Sequence, residues 1–268
     1  MSQTEPIYVV ASDMDGTFLR DDKTFDEPRF RSILQRMHAK GCKFVVASGN
    51  QYIQLKQSFD GYADTISYVA ENGSYVVDNG KTIYTAHIEP SVAQTVYTQL
   101  ISNKKMFTLL CGLKATYIQK NQATDELISL ISYYFPSLEV VNNLLDVDDV
   151  ILKFCAVMKP QDMLEIYQTL DETLPRDVQP MMSGYGSIDI VCTHVNKARG
   201  LDMLVKRWGY DACNCIAFGD AANDIEMLKY AQVGYAMANA MDGVAEIANK
   251  QAPSNNDDGV LEVLDTLF

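Results

Sequence analysis

The sequence contains no uninterrupted apolar run of the about 18 residues that a membrane-spanning helix needs. It also has no basic stretch followed by a long apolar segment near its start, so we expect no secretory signal. Lys and Arg are scattered, and the formal net charge is −13. A nucleic-acid surface usually shows a basic patch. These absences predict a cytoplasmic protein that binds neither membranes nor nucleic acid.

The six cysteines and three histidines form no recognised metal-binding or catalytic pattern. The cysteine spacing fits no zinc template, and only Cys213 and Cys215 lie close together in sequence. We therefore expect reduced thiols, most of them packed as small hydrophobic side chains. His38, His87 and His194 lack the mutual spacing of a metal site or a catalytic triad.

Two aspartates follow the first strand-like segment. Residues 7–11 read as a short buried strand, and Ser12-Asp13-Met14-Asp15-Gly16-Thr17 comes next. Because alternate residues of a strand point to the same side, Asp13 and Asp15 emerge together. Two neighbouring carboxylates need a cation between them, or one of them stays protonated. The segment therefore indicates a divalent metal site or a nucleophile beside a general acid, with a solvated turn as the plainer alternative.

Strand and helix signals alternate at both ends of the chain, while the middle pairs strands with helices. This order predicts an α/β fold: a doubly wound, Rossmann-like parallel-sheet core in residues 1–85 and 193–268, with an inserted α+β domain in residues 86–192. Such an insertion is a natural lid or specificity element. In the resumed alternation, the segment Gly243–Asn249 is predicted as a helix.

A second acidic segment follows a later strand-like stretch. Residues 215–219 lead into Asp220, with Asn223 and Asp224 at the start of a helix. Asp and Asn at a helix start are often caps. Three such residues beside a glycine at a strand end also suit an oxygen-liganded ion such as Mg²⁺. A carboxylate returning from this distant segment would meet Asp13 and Asp15 if the two strands are neighbours.

Two shorter segments indicate an anion-binding site. Ser48 and Gly49 offer a hydroxyl and main-chain N–H groups near a predicted helix start. Lys197 opens the helix after the insertion and would supply a point positive charge to a phosphate. Taken singly, the first is more often an ordinary cap and the second a surface lysine.

Together, these segments resemble the four motifs of the haloacid dehalogenase superfamily in the order of that family. The matching segments are Asp13–Thr17, Ser48, Lys197 and Gly219–Asp224. Glu71-Asn72-Gly73 and the position of the insertion resemble the Cof-type subfamily with a type IIB cap, including its bacterial sugar phosphatases. The resemblance covers essentially the whole chain.

The resemblance implies a catalytic role for both opening aspartates. Asp13 would attack phosphorus and become an aspartyl phosphate. Asp15 would protonate the leaving alcohol and then activate water, since it is left deprotonated after the first step. Mg²⁺ would be held by the Asp13 carboxylate, the Asp15 main-chain carbonyl and the Asp220 carboxylate.

The resemblance also implies a phosphate site and one supporting residue. The residues assigned to phosphate binding are Thr17, Ser48, Gly49, Lys197 and Asn223. Thr17 would in addition order the motif turn. Asp224 would orient Lys197 or a metal-bound water.

The implied function is Mg²⁺-dependent hydrolysis of small phosphorylated metabolites, with sugar phosphates favoured. Phosphatases of FMN or pyridoxal phosphate and a sugar phosphomutase or phosphotransferase are alternatives. A Mg²⁺-binding phosphoacceptor switch fits less well, since such receivers are short and lack an insertion. Tyr185, between two glycines, is a candidate substrate contact. The sequence does not indicate the physiological substrate or the oligomeric state.

Overall fold

The computed structural model describes residues 6–62, 64–183 and 186–268, so Tyr185 lies outside the described residues. The described residues form the strands β1 (Val9–Ser12), β2 (Lys43–Ala47), β3 (Ser67–Ala70), β4 (Tyr75–Asp78), β5 (Lys81–Thr85), β6 (Met106–Gly112), β7 (Thr116–Gln119), β8 (Leu138–Val141), β9 (Ile151–Met158), β10 (Val178–Met182), β11 (Ser187–Cys192), β12 (Cys215–Gly219), β13 (Val233–Met237) and β14 (Lys250–Ala252). The helices are α1 (Glu27–Ala39), α2 (Tyr52–Ser58), α3 (Pro90–Ser102), α4 (Asp125–Ile131), α5 (Met163–Thr173), α6 (Lys197–Arg207), α7 (Ile225–Tyr230) and α8 (Gly259–Leu267).

The first sheet has the order β14-β13-β12-β1-β2-β3-β4-β5. Neighbouring strands from β14 to β3 run parallel, and β4 is antiparallel to β3. Strands β1, β2, β3 and β12 are almost wholly buried, as expected for strands of a parallel sheet covered on both faces. The α/β parallel-sheet fold predicted from the sequence is confirmed.

Helix α1 shows how the sequence encodes these crossovers. Phe30, Ile33, Leu34 and Met37 follow the i, i+3, i+4, i+7 spacing, and all four are buried. The carboxylate of Asp26 accepts a hydrogen bond from the main-chain N–H three residues later, which caps the helix start. The chain therefore leaves β1, covers the sheet with one apolar helix face and returns as β2.

The described chain forms two compact units. The first comprises residues up to Gly49, Phe59–Ile83 and Asn196–Phe268, and the second comprises Asn50–Ser58 and Tyr84–Val195. The second unit contains a sheet with the order β10-β11-β9-β6-β7-β8, antiparallel except for the β7–β8 pair.

Alternation along β9 divides the core of the second unit between the two faces of its sheet. Phe154 and Ala156 belong to an apolar cluster shared with buried residues of α3 and α5. Cys155 points to the opposite face and joins a smaller cluster with Leu127 and Ile131 of α4. On that same face of the sheet, Lys153 donates to Asp189 at 2.9 Å, and both side chains are buried.

The predicted helix at Gly243–Asn249 is wrong. These residues form successive turns, in which the N–H groups of Val244 and Ile247 donate to carbonyl oxygens three residues earlier. The Asn249 side chain then accepts from the N–H of Gly234, and the chain continues into β14 beside β13. The local alternation signal did not reveal this edge strand because β14 has only three residues.

Two other expectations concern composition. All six cysteines are free, and only Cys213 is exposed, which confirms the prediction of mostly buried thiols. Within the described residues, none of the helices combines the length and hydropathy that a bilayer crossing requires.

Candidate active site

Apart from Lys197, which begins α6, the predicted site residues follow the ends of three adjacent strands in the first sheet, β12, β1 and β2. Strand β1 lies between β12 and β2, with Ser12 in register with Phe218 on one side and Val46 on the other. Strand β3 continues the row beyond β2. Because these strands are parallel, their carboxyl ends share one edge of the sheet, where open α/β sheets bind ligands. The motifs that are distant in sequence therefore meet at this edge.

Lys197 joins two of the predicted aspartates. Its Nζ atom donates to Asp13 Oδ1 at 2.6 Å and to Asp224 Oδ1 at 2.7 Å. The side chains of Lys197 and Asp224 are fully buried, and that of Asp13 is 9% exposed. Removing one partner of such a buried pair leaves an uncompensated charge. The three side chains therefore act as one electrostatic unit.

The pKa values of this unit reflect its burial. Burial raises the pKa of Asp13 well above its ordinary range; Asp224 and Asp220 add to the shift, and Lys197 opposes it. Burial alone would lower the pKa of Lys197, but the carboxylates of Asp13 and Asp224 outweigh it and raise the value. Both shifts mean that the metal-free cluster retains protons because it is rich in carboxylates and shielded from water.

Asp220 brings a third carboxylate to the cluster. One carboxylate oxygen from each of Asp13, Asp220 and Asp224 lies within 4.8 Å of the others. Burial, with a contribution from Asp224, raises the pKa of Asp220 to about 6, while a hydrogen bond from Thr17 and the charge of Lys197 work against the shift. Hard carboxylate oxygens are the ligands that Mg²⁺ prefers. The donor set therefore fits a divalent cation.

The hydrogen bonds of Asp224 and Thr17 indicate their parts in this cluster. Asp224 Oδ2 accepts from the N–H groups of Asp220 and Ala221 at 3.1 and 3.0 Å, while its Oδ1 accepts from Lys197. Asp224 is therefore bound through both oxygens and holds the ammonium and the 220–221 turn in place. The Thr17 hydroxyl donates to Asp220 Oδ1 at 2.7 Å, and the phosphate contact predicted for Thr17 stays a prediction.

Asp15 lies beside a residue that the sequence analysis missed. The Nζ atom of Lys23 donates to Asp15 Oδ1 at 2.6 Å, with the two side chains 23% and 18% exposed. Lys23 occupies a left-handed turn at φ +66°, and the turn is closed by hydrogen bonds between Arg20 and Thr24. A lone lysine in a polar loop carries no sequence signal for such a contact, because most lysines are exposed and solvated.

The remaining predicted residues lie after β2 and at the turn before α7. Ser48 is buried, and its carbonyl oxygen accepts the N–H of Asn72 at 3.0 Å. The side chain of Asn72 lies 3.1 Å from the position that a Cβ atom of Gly49 would take. Asn223 donates its side-chain N–H to Asn72 Oδ1 at 3.0 Å. The sequence analysis assigned no role to Asn72, although it noted the motif that contains it.

A further asparagine holds the loop of the first motif. Asn239 Nδ2 donates to the Gly16 carbonyl oxygen at 2.7 Å, and Asn239 Oδ1 accepts from the N–H of Asn255. The side chain of Asn255 is buried and donates to the carbonyl oxygen of Leu19 at 3.0 Å. These bonds tie the loop after β1 to the segment between β14 and α8. No sequence pattern marked these two residues.

A sequence model of one protein family, the haloacid dehalogenase-like hydrolases, matches residues 10–264 of the chain. Among curated proteins, the chain is 38% identical over 262 residues to the 5-amino-6-(5-phospho-D-ribitylamino)uracil phosphatase YbjI of Escherichia coli, covering 98% of this chain and 96% of that protein. It is 27% identical over 270 residues to the phosphatase YitU of Bacillus subtilis, whose name gives the same substrate, covering 99% of both chains.

The fold is also found among solved structures. The protein SMU.1108c of Streptococcus mutans superimposes with a TM-score of 0.93 at 32% identity, covering 97% of this chain and 98% of that one. TM0651 of Thermotoga maritima gives a TM-score of 0.80 at 25% identity, covering 97% of each chain.

Proposed function

The chain belongs to the haloacid dehalogenase-like hydrolases and is a phosphoric monoester hydrolase of that family, and we propose that it uses Asp13 as nucleophile and requires Mg²⁺. The observation that carries this proposal is the buried cluster of Lys197 with three carboxylates at the edge of the sheet. A fully ionised cluster of this composition has an excess of negative charge. Such an excess is stable out of water only with a cation or with bound protons.

The metal would be held by the carboxylates of Asp13 and Asp220, with the Asp15 main-chain carbonyl as a third protein ligand. When bound, Mg²⁺ would offset the repulsion between a carboxylate nucleophile and a phosphate dianion. Asp224 supports this set through its bonds to Lys197 and to the N–H of Asp220. Thr17 orients the Asp220 carboxylate.

The chain's own residues then divide the chemistry. Asp13 attacks phosphorus and forms an aspartyl phosphate, while Asp15 gives a proton to the leaving oxygen. Asp15, now a carboxylate, takes a proton from the water that hydrolyses the intermediate. Ser48, the N–H of Gly49, Lys197 and Asn223 bind phosphate oxygens. Catalysis depends on positioning and charge rather than on further covalent steps.

For the substrate, we propose a phosphate ester on a short polyhydroxylated chain. The names of two relatives specify a phosphorylated ribityl group attached to a uracil. Sugar phosphates, which the motifs favoured, share the hydroxylated chain but lack the base. We therefore favour 5-amino-6-(5-phospho-D-ribitylamino)uracil over free sugar phosphates. A phosphate-release panel that also contains FMN, pyridoxal phosphate and hexose phosphates ranks these classes by kcat/KM.

The Asp13→Asn variant tests the mechanism. It retains the size of the side chain but loses the nucleophilic carboxylate, so phosphate release should fall by about a thousandfold or more. Asp60→Asn is a matched control, because Asp60 is exposed and has no part in the proposed site. Release by Asp13→Asn at a near wild-type rate, or full activity of the wild-type enzyme in excess chelator, would contradict the proposal.

A further inference from the structure

Asn72 occupies a costly backbone conformation in the interior. It is fully buried and adopts φ 56° and ψ 25°, and Glu71 before it is also left-handed at φ 52°. Neither residue is glycine, so each such conformation costs about 1–3 kcal/mol and persists only where the surroundings impose it. Strain of this kind indicates that the positions of particular groups matter.

Asn72 contacts two segments that the proposed function assigns to phosphate binding. Its main-chain N–H donates to the Ser48 carbonyl oxygen at 3.0 Å, which holds the turn after β2. Its side-chain Oδ1 accepts from Asn223 Nδ2 at 3.0 Å. Its amide group also fills the space in which Gly49 would carry a Cβ atom, at 3.1–3.2 Å. The buried side chain of Asn72 therefore packs against Gly49 and hydrogen-bonds to Asn223, so it lies between the two segments and contacts both.

The next residue fixes the same loop against a third segment. Gly73 has φ +97°, and a Cβ atom there would lie 2.3 Å from the carbonyl oxygen of Asn196. Asn196 directly precedes Lys197 and caps α6 by accepting from the N–H of Arg199. The turn after β3 is therefore packed against the start of the helix that carries the buried lysine.

We propose that Asn72 is a positioning residue that sets the distance between Ser48–Gly49 and Asn223 and thereby shapes the phosphate site. This inference rests on the proposed function. Asn72 acts through Asn223 by orienting its amide, and through Gly49 by packing. A general loss of fold is a different effect, and the two are separable by measurement.

The test compares Asn72→Gly with Asn79→Gly. Glycine accepts the left-handed backbone without strain, so Asn72→Gly removes the side-chain amide while the backbone can keep its conformation. Asn79 is the matched control, because it is a left-handed asparagine at φ +47° in the exposed turn between β4 and β5. The inhibition constant of inorganic phosphate and the KM for p-nitrophenyl phosphate are measured for both variants.

For Asn72→Gly, both constants should rise by about three- to tenfold, the range expected for one lost hydrogen bond, and Asn79→Gly should match the wild type. In a double-mutant cycle, adding Asn72→Gly to Asn223→Ala should cost much less than it does in the wild type. Unchanged constants in Asn72→Gly, or independent effects in the cycle, would overturn the inference. Failure of the proposed function would instead be visible in the wild-type protein, which would release no phosphate.

Discussion

Replacing Asp220 by asparagine should change how the stability of the metal-free protein depends on pH. The Asp220 carboxyl is largely buried beside Asp224, and its pKa is raised from 3.8 to about 6. A carboxyl whose pKa is higher in the folded state than in the unfolded chain favours folding at low pH. That contribution is complete below about pH 4 and is lost as the pH rises through about 6.

The size of the effect follows from the shift. Each pH unit of difference corresponds to about 1.4 kcal/mol, so a shift from 3.8 to about 6 amounts to about 3 kcal/mol. The asparagine side chain of the variant is neutral at every pH, and its amide oxygen can still accept the hydrogen bond from Thr17. In metal-free solution, the unfolding free energy of the variant relative to that of the wild type should therefore increase by about 3 kcal/mol as the pH rises from 4 to 8.

The assay is urea unfolding followed by circular dichroism, at several pH values in excess chelator and again with saturating Mg²⁺. Subtracting the wild-type unfolding free energy from that of the variant at each pH cancels the contributions of the carboxylates that the two proteins share. Mg²⁺ should stabilise the wild type above pH 6, because binding requires the deprotonated carboxylate, and should stabilise the variant less. A difference that stays constant across pH, or equal stabilisation of both proteins by Mg²⁺, would refute the reasoning. Asp60→Asn is the control and should show no such trend.

Three further predictions concern stability and are read from the same unfolding curves. Gly73→Ala should lower the unfolding free energy by about 3 kcal/mol or more, because the new Cβ would lie 2.3 Å from a carbonyl oxygen. Gly41 is also left-handed but has open space around it, so Gly41→Ala should cost only about 1 kcal/mol. Equal costs for the two variants would contradict the steric argument. Lys153→Met should cost about 3–5 kcal/mol, because the buried Asp189 carboxylate loses its ammonium partner; a loss under about 1 kcal/mol would show that the pair is not isolated from water. Lys23→Met should cost at most about 1 kcal/mol, since its ion pair is partly exposed, and a larger loss would reveal a structural role for that loop.

The sheet and the convergence of the candidate residues could be predicted because they depend on features that repeat along the sequence. Apolar runs ending in Asp13, Ser48 and Asp220 indicate parallel strands, and parallel strands bring their carboxyl ends to one edge. The sequence separation between Asp13 and Asp220 is then irrelevant, since β1 and β12 pair directly. The fold and the convergence of these residues follow from hydrophobic periodicity and a small set of allowed connections.

The contacts of Lys23, Asn72 and Asn239 could not be predicted, for a common physical reason. Each contact is made by a single side chain from a turn, and its direction depends on backbone angles that no periodic pattern specifies. Lys23 and Asn72 both adopt left-handed conformations. Asparagine tolerates this region better than most residues, but an asparagine in a loop is equally compatible with an ordinary solvated turn.

Gly16 of the opening motif has a second structural requirement that the sequence does not reveal. Gly16 lies at φ +79°, which explains a glycine as part of a turn. A Cβ atom there would also lie 2.6 Å from Asp220 Oδ2. Asp220 is one of the carboxylates proposed to hold the metal. The absence of a side chain at position 16 leaves the space that this carboxylate occupies. The left-handed turn and the space needed by the Asp220 carboxylate therefore impose the same choice of residue, since an L side chain at position 16 would meet both the backbone strain and the clash.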